Sequence, residues 1–193
     1  MAIETTPAVE VRKKLTPDDV CRMQLSGELR DKAHEPVDGE LIEVPPTIGE
    51  HGKHAGNLAG PLWAFAQHAG GRIFDSSTGF MVSPGHRQLR SPDVSYIGPA
   101  RLRASYPCFI DGAPDLAVEI LSEGQHGEAY AKTKVLEYFE ASAQLVWFVD
   151  LAHREVRVYR PESDEITILR RDAVLTLEPI VSGFVLKVED IFS

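Results

Sequence analysis

Cysteine and long apolar runs are both scarce in this sequence. Only Cys21 and Cys108 occur among the 193 residues, too few for a disulfide framework and not at the spacing of metal ligands. We therefore expect two reduced thiols in a reducing compartment. No apolar run approaches the roughly 20 residues that span a bilayer, and residues 1–14 lack the apolar stretch of a signal peptide. These absences predict a soluble, cytoplasmic protein.

Positive charge is also in short supply. Lysine and arginine number 20 against 29 aspartate and glutamate residues, for a net charge of −9. This argues against a broad basic surface that coats nucleic acid, because such binding depends on neutralising phosphates. A local basic channel or a metal-bridged contact remains open. The 43% hydrophobic and 25% charged residues fit an ordinary globular protein, and we predict a flexible tail, 1–14, followed by a single domain, 15–193.

The order of apolar patterns predicts an α/β fold, with a mixed sheet of about six to eight strands flanked by helices. Predicted helices run from Pro17 to about Gln24, over 50–69 and 128–141, and from Val188. Predicted strands are 40–44 (after an Asp38-Gly39 turn), 72–75, 79–83, 89–97, 115–121, 145–149, 155–160 and 165–170. The strand–helix–strand succession from 115 to 149 predicts two parallel strands with a right-handed crossover.

Two carboxylates stand where burial would be costly. Glu119 lies in the middle of the apolar strand 115–121, so it must be paired, protonated or bound to a cation. Asp93 follows Pro92 and leads into a second apolar strand. If these strands are neighbours, the two acids converge. Mg²⁺ often takes only one or two protein carboxylates and keeps water and phosphate oxygens, which is the arrangement for phosphodiester hydrolysis.

A lysine near such a pair could stabilise the negative charge that develops during the reaction. Lys132 and Lys134 both lie on the helix after the Glu119 strand, and helical position alone does not choose between them. Structural interpretations stand beside this one. Glu119 could be salt-bridged, Asp93 could be a turn residue, and both lysines could be solvated.

At these residues the sequence resembles the Uma-type "putative restriction endonuclease" family, formerly a domain of unknown function, within the PD-(D/E)XK nuclease superfamily. Segments 92–94 and 113–122 look like its core. Further similar segments are 38–43, Pro46, His51, 71–72, 78–80, 134–138, 146–150, 156–160 and 182–184. The resemblance runs from about residue 15 to 193. It implies a restriction-endonuclease-like fold.

The resemblance also implies a site. Asp93 and Glu119 would be the metal-binding acids, with Mg²⁺ or Mn²⁺ as the cofactor and DNA as the substrate. The superfamily pattern would place a lysine where this chain has Leu121, and Lys134 matches the position to which the lysine has moved in similar families. Glu40 resembles an additional acid of the site. Because enzymes of this kind often need two active sites, the resemblance further suggests a homodimer, and the apolar strand near Ile168 needs a neighbour or cover.

Other polar and aromatic residues receive simpler interpretations. His51 is more typical of a helix cap or a surface residue than of a ligand or base, although its pKa range suits proton transfer. Trp63, Trp147 and Tyr138 are expected in the core. Two functions remain: an active metal-dependent DNA endonuclease, or a catalytically weak or silent nuclease-fold binding protein of a mobile-element or defence system. Metal-dependent hydrolysis of another phosphoester is a third possibility.

Overall fold

The computed structural model of the protein describes residues 14–29, 33–37, 40–44, 48–83, 88–121, 128–163 and 165–193. Its helices are α1 (Pro17–Ser26), α2 (Gly49–Ala69), α3 (Glu128–Glu140) and α4 (Val188–Ile191), with a 3-10 turn at Pro99–Arg101. Its strands are β1 (Ala33–Val37), β2 (Glu40–Val44), β3 (Arg72–Asp75), β4 (Phe80–Met81), β5 (Leu89–Arg90), β6 (Val94–Ile97), β7 (Ile110–Asp111), β8 (Leu116–Leu121), β9 (Leu145–Asp150), β10 (Glu155–Tyr159), β11 (Thr167–Arg170), β12 (Val174–Leu175) and β13 (Leu186–Lys187).

A mixed six-stranded sheet forms the centre, in the order β11–β10–β9–β8–β6–β3. Its β8 and β9 strands are parallel, with Glu119 opposite Phe148, and α3 connects them along the chain. The other neighbouring strands of this sheet are antiparallel. The predicted mixed sheet and the predicted parallel pair are therefore confirmed. Smaller sheets are the β1–β2 and β12–β13 pairs and the three-stranded β5–β4–β7 sheet.

The alternation of side chains along β8 and β9 sends apolar groups to both faces of the sheet. Val118 and Trp147 pack on one face in a core that includes residues of α2 and the C-terminal segment. Ala117 and Phe148 pack on the other face against α3. Because each fully buried large apolar side chain contributes roughly 1.5–3 kcal/mol, both faces hold the sheet in place. The backbone around Glu119 is thereby fixed from two sides.

Helix α1 begins where the sequence predicts it. The Thr16 hydroxyl accepts from the Asp19 backbone N–H while the Asp19 carboxylate accepts from the Thr16 backbone N–H, a reciprocal cap that satisfies two otherwise free donors. The helix ends at Gly27, whose left-handed φ of 81° is unstrained for glycine. In α2, Pro61 lies inside the helix, which continues to Ala69. None of the described helices is long and apolar enough to cross a membrane.

Two expectations about individual residues are wrong. Cys21 and Cys108 are not free thiols: the structure joins them in a disulfide, with their Cα atoms 6.0 Å apart. Their separation along the chain hid this proximity, and the argument from free thiols for a cytoplasmic location is lost. Trp63 is 60% exposed rather than buried, because it lies about 100° around α2 from Leu62 on the buried stripe.

Some strands are shorter than predicted, and some predicted segments lie outside the residues that the structure describes. The strands predicted over 79–83 and 89–97 reduce to β4, β5 and β6, while those at the C-terminal half match β10 and β11 closely. The proposed tail is outside the described residues except for Lys14, and so is the Asp38-Gly39 turn. The β1 and β2 strands on either side of that turn pair antiparallel.

Candidate active site

Asp93 and Glu119 lie side by side where β6 begins and β8 ends. The antiparallel register pairs Val94 with Val118, so the next position brings Asp93 opposite Glu119. Oδ2 of Asp93 accepts a hydrogen bond from the backbone N–H of Ile120 at 2.7 Å, which holds the carboxylate against β8. Directly opposed residues of an antiparallel pair have Cβ atoms about 4.5–5.5 Å apart. The strands therefore bring the two acids together on the same face.

The Glu119 carboxylate is held at both oxygens by α3. Its Oε2 accepts from Nζ of Lys134 at 2.8 Å, and its Oε1 accepts from the hydroxyl of Tyr138 at 2.6 Å. Lys134 and Tyr138 are four residues apart, so one face of the helix presents both donors. Glu119 is only 7% exposed and Tyr138 is fully buried. This carboxylate is consequently fixed in orientation, and it has the cationic partner that its own strand could not supply.

Asp93 is less well compensated. Burial, and then the neighbouring negative charge of Glu119, raise its pKa to about 6, although the Ile120 N–H, His51 and Lys134 oppose the change. Burial acts to lower the pKa of Lys134, but the charge of Glu119 and the hydrogen bond to it overcome this and raise the pKa. The site therefore has two acids and one permanent cation, and its excess negative charge is borne mainly by Asp93.

His51 lies beside Asp93, contrary to its interpretation as a cap or surface residue. It is 7% exposed, and its Nε2 is 3.3 Å from Oδ2 of Asp93. The N-terminus of α2 instead has Ile48 as its cap residue, without a side-chain hydrogen bond. The first turn of α2 packs over the β6 end of the site, and this brings the imidazole inward. Only the resemblance of His51 to the family pattern could have drawn attention to it.

The two lysines of α3 have different surroundings. Lys134 contacts Glu119, whereas Lys132 is exposed to solvent. The structure therefore brings Lys134, and not Lys132, to the acid pair. Glu40 is exposed on β2, and within the described residues it makes no ion pair with the site. Tyr138, expected to be a simple core aromatic, was the contact that sequence reasoning missed. Its only signal was its spacing of four residues from Lys134.

The donor set suits a hard divalent cation that is only partly held by protein. Among the described residues, no group of three histidine, cysteine, aspartate or glutamate side chains lies close enough to hold a metal. A closed structural zinc centre would need four such ligands. Mg²⁺ is commonly bound by one or two carboxylates, with water and phosphate oxygens as its other ligands. The adjacent carboxylates and the raised pKa of Asp93 fit that second arrangement, since a cation would offset their mutual repulsion.

Other proteins place this geometry in context. A family model described as "Putative restriction endonuclease" matches residues 17–189. A crystal structure from Anabaena variabilis, of "a putative nuclease belonging to DUF820", is similar with a TM-score of 0.72 over 92% of this chain and 97% of that chain. The two share 22% sequence identity, so the likeness shows a common fold. No protein with a curated description matches the sequence. Since the family model spans nearly the whole chain, this protein belongs to the Uma2 family of restriction-endonuclease-like proteins.

Proposed function

We propose that this protein is a divalent-metal-dependent endonuclease that hydrolyses DNA phosphodiester bonds, with Asp93 and Glu119 holding Mg²⁺ or Mn²⁺. The observation that carries the proposal is the proximity of these two carboxylates to each other and to Lys134 at the ends of β6 and β8. A bound divalent cation would polarise a phosphoryl oxygen and lower the pKa of an attacking water. Membership of the Uma2 family supports the reaction class.

The residues around the proposed metal ligands have separable tasks. Lys134 places an ammonium at 2.8 Å from Glu119, so a phosphate that reached the same spot would meet a positive charge able to stabilise it during the reaction. Tyr138 fixes the direction of the Glu119 carboxylate from the buried side. His51 contacts Asp93 from α2 and restrains that carboxylate. Neither Tyr138 nor His51 is assigned contact with the reacting atoms.

A further acid, Glu40, and a homodimer complete the proposal. The resemblance suggests Glu40 as an additional acid, and an unchanged cleavage rate in Glu40→Ala would remove it. A homodimer would supply two active sites for the two strands of duplex DNA. On the edge strand β11, Ile168 is 45% exposed, and Ile166 just before it is 39% exposed, which suits contact with a second copy. Sedimentation at micromolar concentration is expected to show a dimer, and a monomer would eliminate this part.

Calorimetric titration with Mg²⁺ or Mn²⁺, paired with a DNA cleavage assay, tests the central claim. Wild type is expected to bind the metal and cleave DNA, and Asp93→Ala to do neither while remaining folded. Metal binding without cleavage of any nucleic acid would instead favour the second candidate, a catalytically silent nuclease-fold binding protein. The net charge of −9 is the observation behind that alternative, because it weakens general attraction to DNA.

A further inference from the structure

A second charged site lies beside β10 and β11, the strands that follow the parallel pair in the central sheet. The turn between β9 and β10, the end of β11 and the C-terminal segment enclose a cavity of about 420 Å³. Its lining consists of Phe192 and six polar residues, which are His153, Arg154, Arg170, Arg171, Asp172 and Glu189. None of these residues contributes to the Asp93–Glu119 site.

Several charges in this cavity are already matched by a partner. The Arg170 guanidinium pairs with the buried Glu155, and Glu189 pairs with Lys187 at 3.4 Å. Within the part of the chain that the structure describes, neither Arg154 nor Arg171 has a carboxylate partner within ion-pair distance. One acid of the lining, Asp172, remains to set against these two arginines. The cavity therefore holds one more unpaired arginine charge than its unpaired acid can balance.

Arg154 is held in place although it carries no ion pair. Its Nη2 donates to the backbone carbonyl of Phe192 at 3.1 Å, and its guanidinium carbon lies 5.2 Å from the centre of the Phe192 ring. A guanidinium held against an aromatic ring keeps its remaining N–H groups free for another acceptor. Phosphate oxygens suit that fork of donors especially well. The arrangement is thus prepared for an oxyanion rather than for a single carboxylate of the protein.

The cavity and the acid pair lie at the same end of the strands, the end at which β8 and β9 finish. At this end, neighbouring strands pair Leu121 with Asp150, Asp150 with Glu155, and Glu155 with Arg170. Three strand spacings of about 4.8 Å separate β8 from β11, or about 14 Å. Both sites therefore lie at the same end of the strands, at a lateral separation shorter than a duplex of about ten base pairs.

We propose that Arg154 and Arg171 form an anchoring site for a backbone phosphate of the nucleic-acid substrate. The inference rests on the proposed nuclease function for the identity of the ligand. The site would bind without regard to sequence, because phosphate contacts position a duplex and do not read its bases. It would also supply the local positive surface that the overall charge of this protein does not provide.

Binding of a short fluorescent DNA duplex by the metal-free protein, measured by anisotropy across a salt series, tests the site without cleavage. Arg154→Ala and Arg171→Ala are each expected to weaken binding several-fold and to reduce the salt slope by about 0.9, the value for one lost phosphate contact. Arg103→Ala is the matched control. Arg103 is exposed and follows the end of β6 that is opposite to Asp93. Arg171 is exposed, and among the described residues its side chain makes no hydrogen bond or ion pair, so its replacement removes no such contact.

Parallel cleavage assays with Mg²⁺ separate this inference from the nuclease proposal. If DNA is cleaved but both arginine variants bind it like wild type, the anchoring site is overturned and the nuclease stands. If DNA is bound through the arginines but never cleaved, the anchoring site stands and the nuclease proposal fails. An equal loss in Arg103→Ala would reduce the effect to general charge and overturn the specific site. Absence of any DNA binding would overturn it as well.

Discussion

Two groups of carboxylates lie at the same end of the strands of the central sheet, and they differ in the number of cations that face them. Asp150 and Glu155, on β9 and β10, share Arg157, and each has a further partner in His153 or Arg170. Asp93 and Glu119, on the β6 and β8 side, have Lys134 as their one permanent cation among the described residues. The groups are neighbours, since β8 and β9 pair directly.

The pKa values of the aspartates move in opposite directions in these two groups. Burial acts to raise the pKa of Asp150, but hydrogen bonds from His153 and the charge of Arg157 lower it below the usual range. Burial and the charge of Glu119 raise the pKa of Asp93 to about 6. The first group is balanced and ties strands together. The second retains an excess of negative charge that destabilises the metal-free fold, which is typical of a site built for a cation.

The largest expected effect is on catalysis. Asp93→Asn and Glu119→Gln should each reduce metal-dependent DNA cleavage by about 10³-fold or more, because the metal contributes several kcal/mol to the transition state. Glu155→Gln, in the balanced group, should leave the rate nearly unchanged and lower the free energy of unfolding by about 1 to 2 kcal/mol, since its arginine partners are partly exposed. Initial cleavage rates and denaturant titrations measure the two quantities.

The opposite pattern would break the comparison between the two groups. If Glu155→Gln abolished cleavage while Asp93→Asn left it intact, the catalytic centre would lie at β9 and β10. The contrast must be made with amide substitutions. Glu119→Ala would leave the Lys134 ammonium and the buried Tyr138 hydroxyl without their acceptor, and would destabilise the fold for that reason alone.

The second effect concerns stability and pH. Because the pKa of Asp93 is about 6 in the folded protein, against an ordinary value of 3.8, the folded state favours the protonated acid. The contribution of Asp93 to stability is therefore full below about pH 4 and is lost as the pH rises through 6. Asp93→Asn should therefore stabilise the metal-free protein by about 2 kcal/mol more at pH 7 than at pH 4.

Chemical denaturation of both proteins at several pH values, in the presence of a chelator, measures this difference. Asn can still accept the Ile120 N–H, so the hydrogen bond to β8 is not a confounding loss. A flat difference between pH 4 and pH 7 would show that Asp93 is not the acid that carries the excess charge. Addition of Mg²⁺ at pH 7 should stabilise wild type, and not the variant, because the cation needs the ionised pair.

The third effect distinguishes the two lysines of α3. Lys134→Ala should lower the cleavage rate by about 10²-fold, the loss usual for one positioned charge or donor at a reacting phosphoryl group, while calorimetry still shows metal binding. Lys132→Ala serves as the control and should leave the rate unchanged, because Lys132 is exposed on the same helix. Equal losses in the two variants would mean that the helix supplies only general positive charge.

The sequence predicted those parts of the fold that local patterns determine. The apolar run of β9, the alternation in β8 and the amphipathic α3 were enough to predict the parallel pair and its crossover. The capped start of α1 was legible from Thr16 and Asp19. The adjacency of Asp93 and Glu119 was conditional on β6 and β8 being neighbours, and spacing alone left Lys132 and Lys134 equivalent. The resemblance to a known family resolved both points.

Contacts between distant segments could not be predicted in this way. The proximity of His51 to Asp93 depends on how α2 packs over the sheet edge, and the Cys21–Cys108 disulfide depends on where α1 meets the loop before β7. The exposure of Trp63 follows from the angular position of the buried stripe of α2. In each case the residue type was noted correctly, and its environment was set by tertiary packing that no local pattern records.

The smallest expected effect tests whether the unbalanced group needs its buried hydrogen bond. Tyr138 donates to Oε1 of Glu119, and burial, the charge of Glu119 and this hydrogen bond raise the pKa of Tyr138 well above its ordinary value. Tyr138→Phe keeps the ring in the core and removes only this donor. Because partners that orient a metal ligand typically contribute about tenfold or more to affinity, the metal concentration for half-maximal cleavage should rise about tenfold.

Tyr96→Phe is the matched control for Tyr138→Phe. Tyr96 is also fully buried, and its hydroxyl donates at 2.8 Å to the carbonyl of Gly70, away from the acid pair. Both variants lose one buried hydrogen bond and about 1 kcal/mol of stability, so a merely structural role for Tyr138 would give them the same metal dependence. A rise in the required metal concentration for Tyr138→Phe alone shows instead that the hydroxyl orients Glu119. The unbalanced carboxylates would then depend on a fixed geometry as well as on their excess charge.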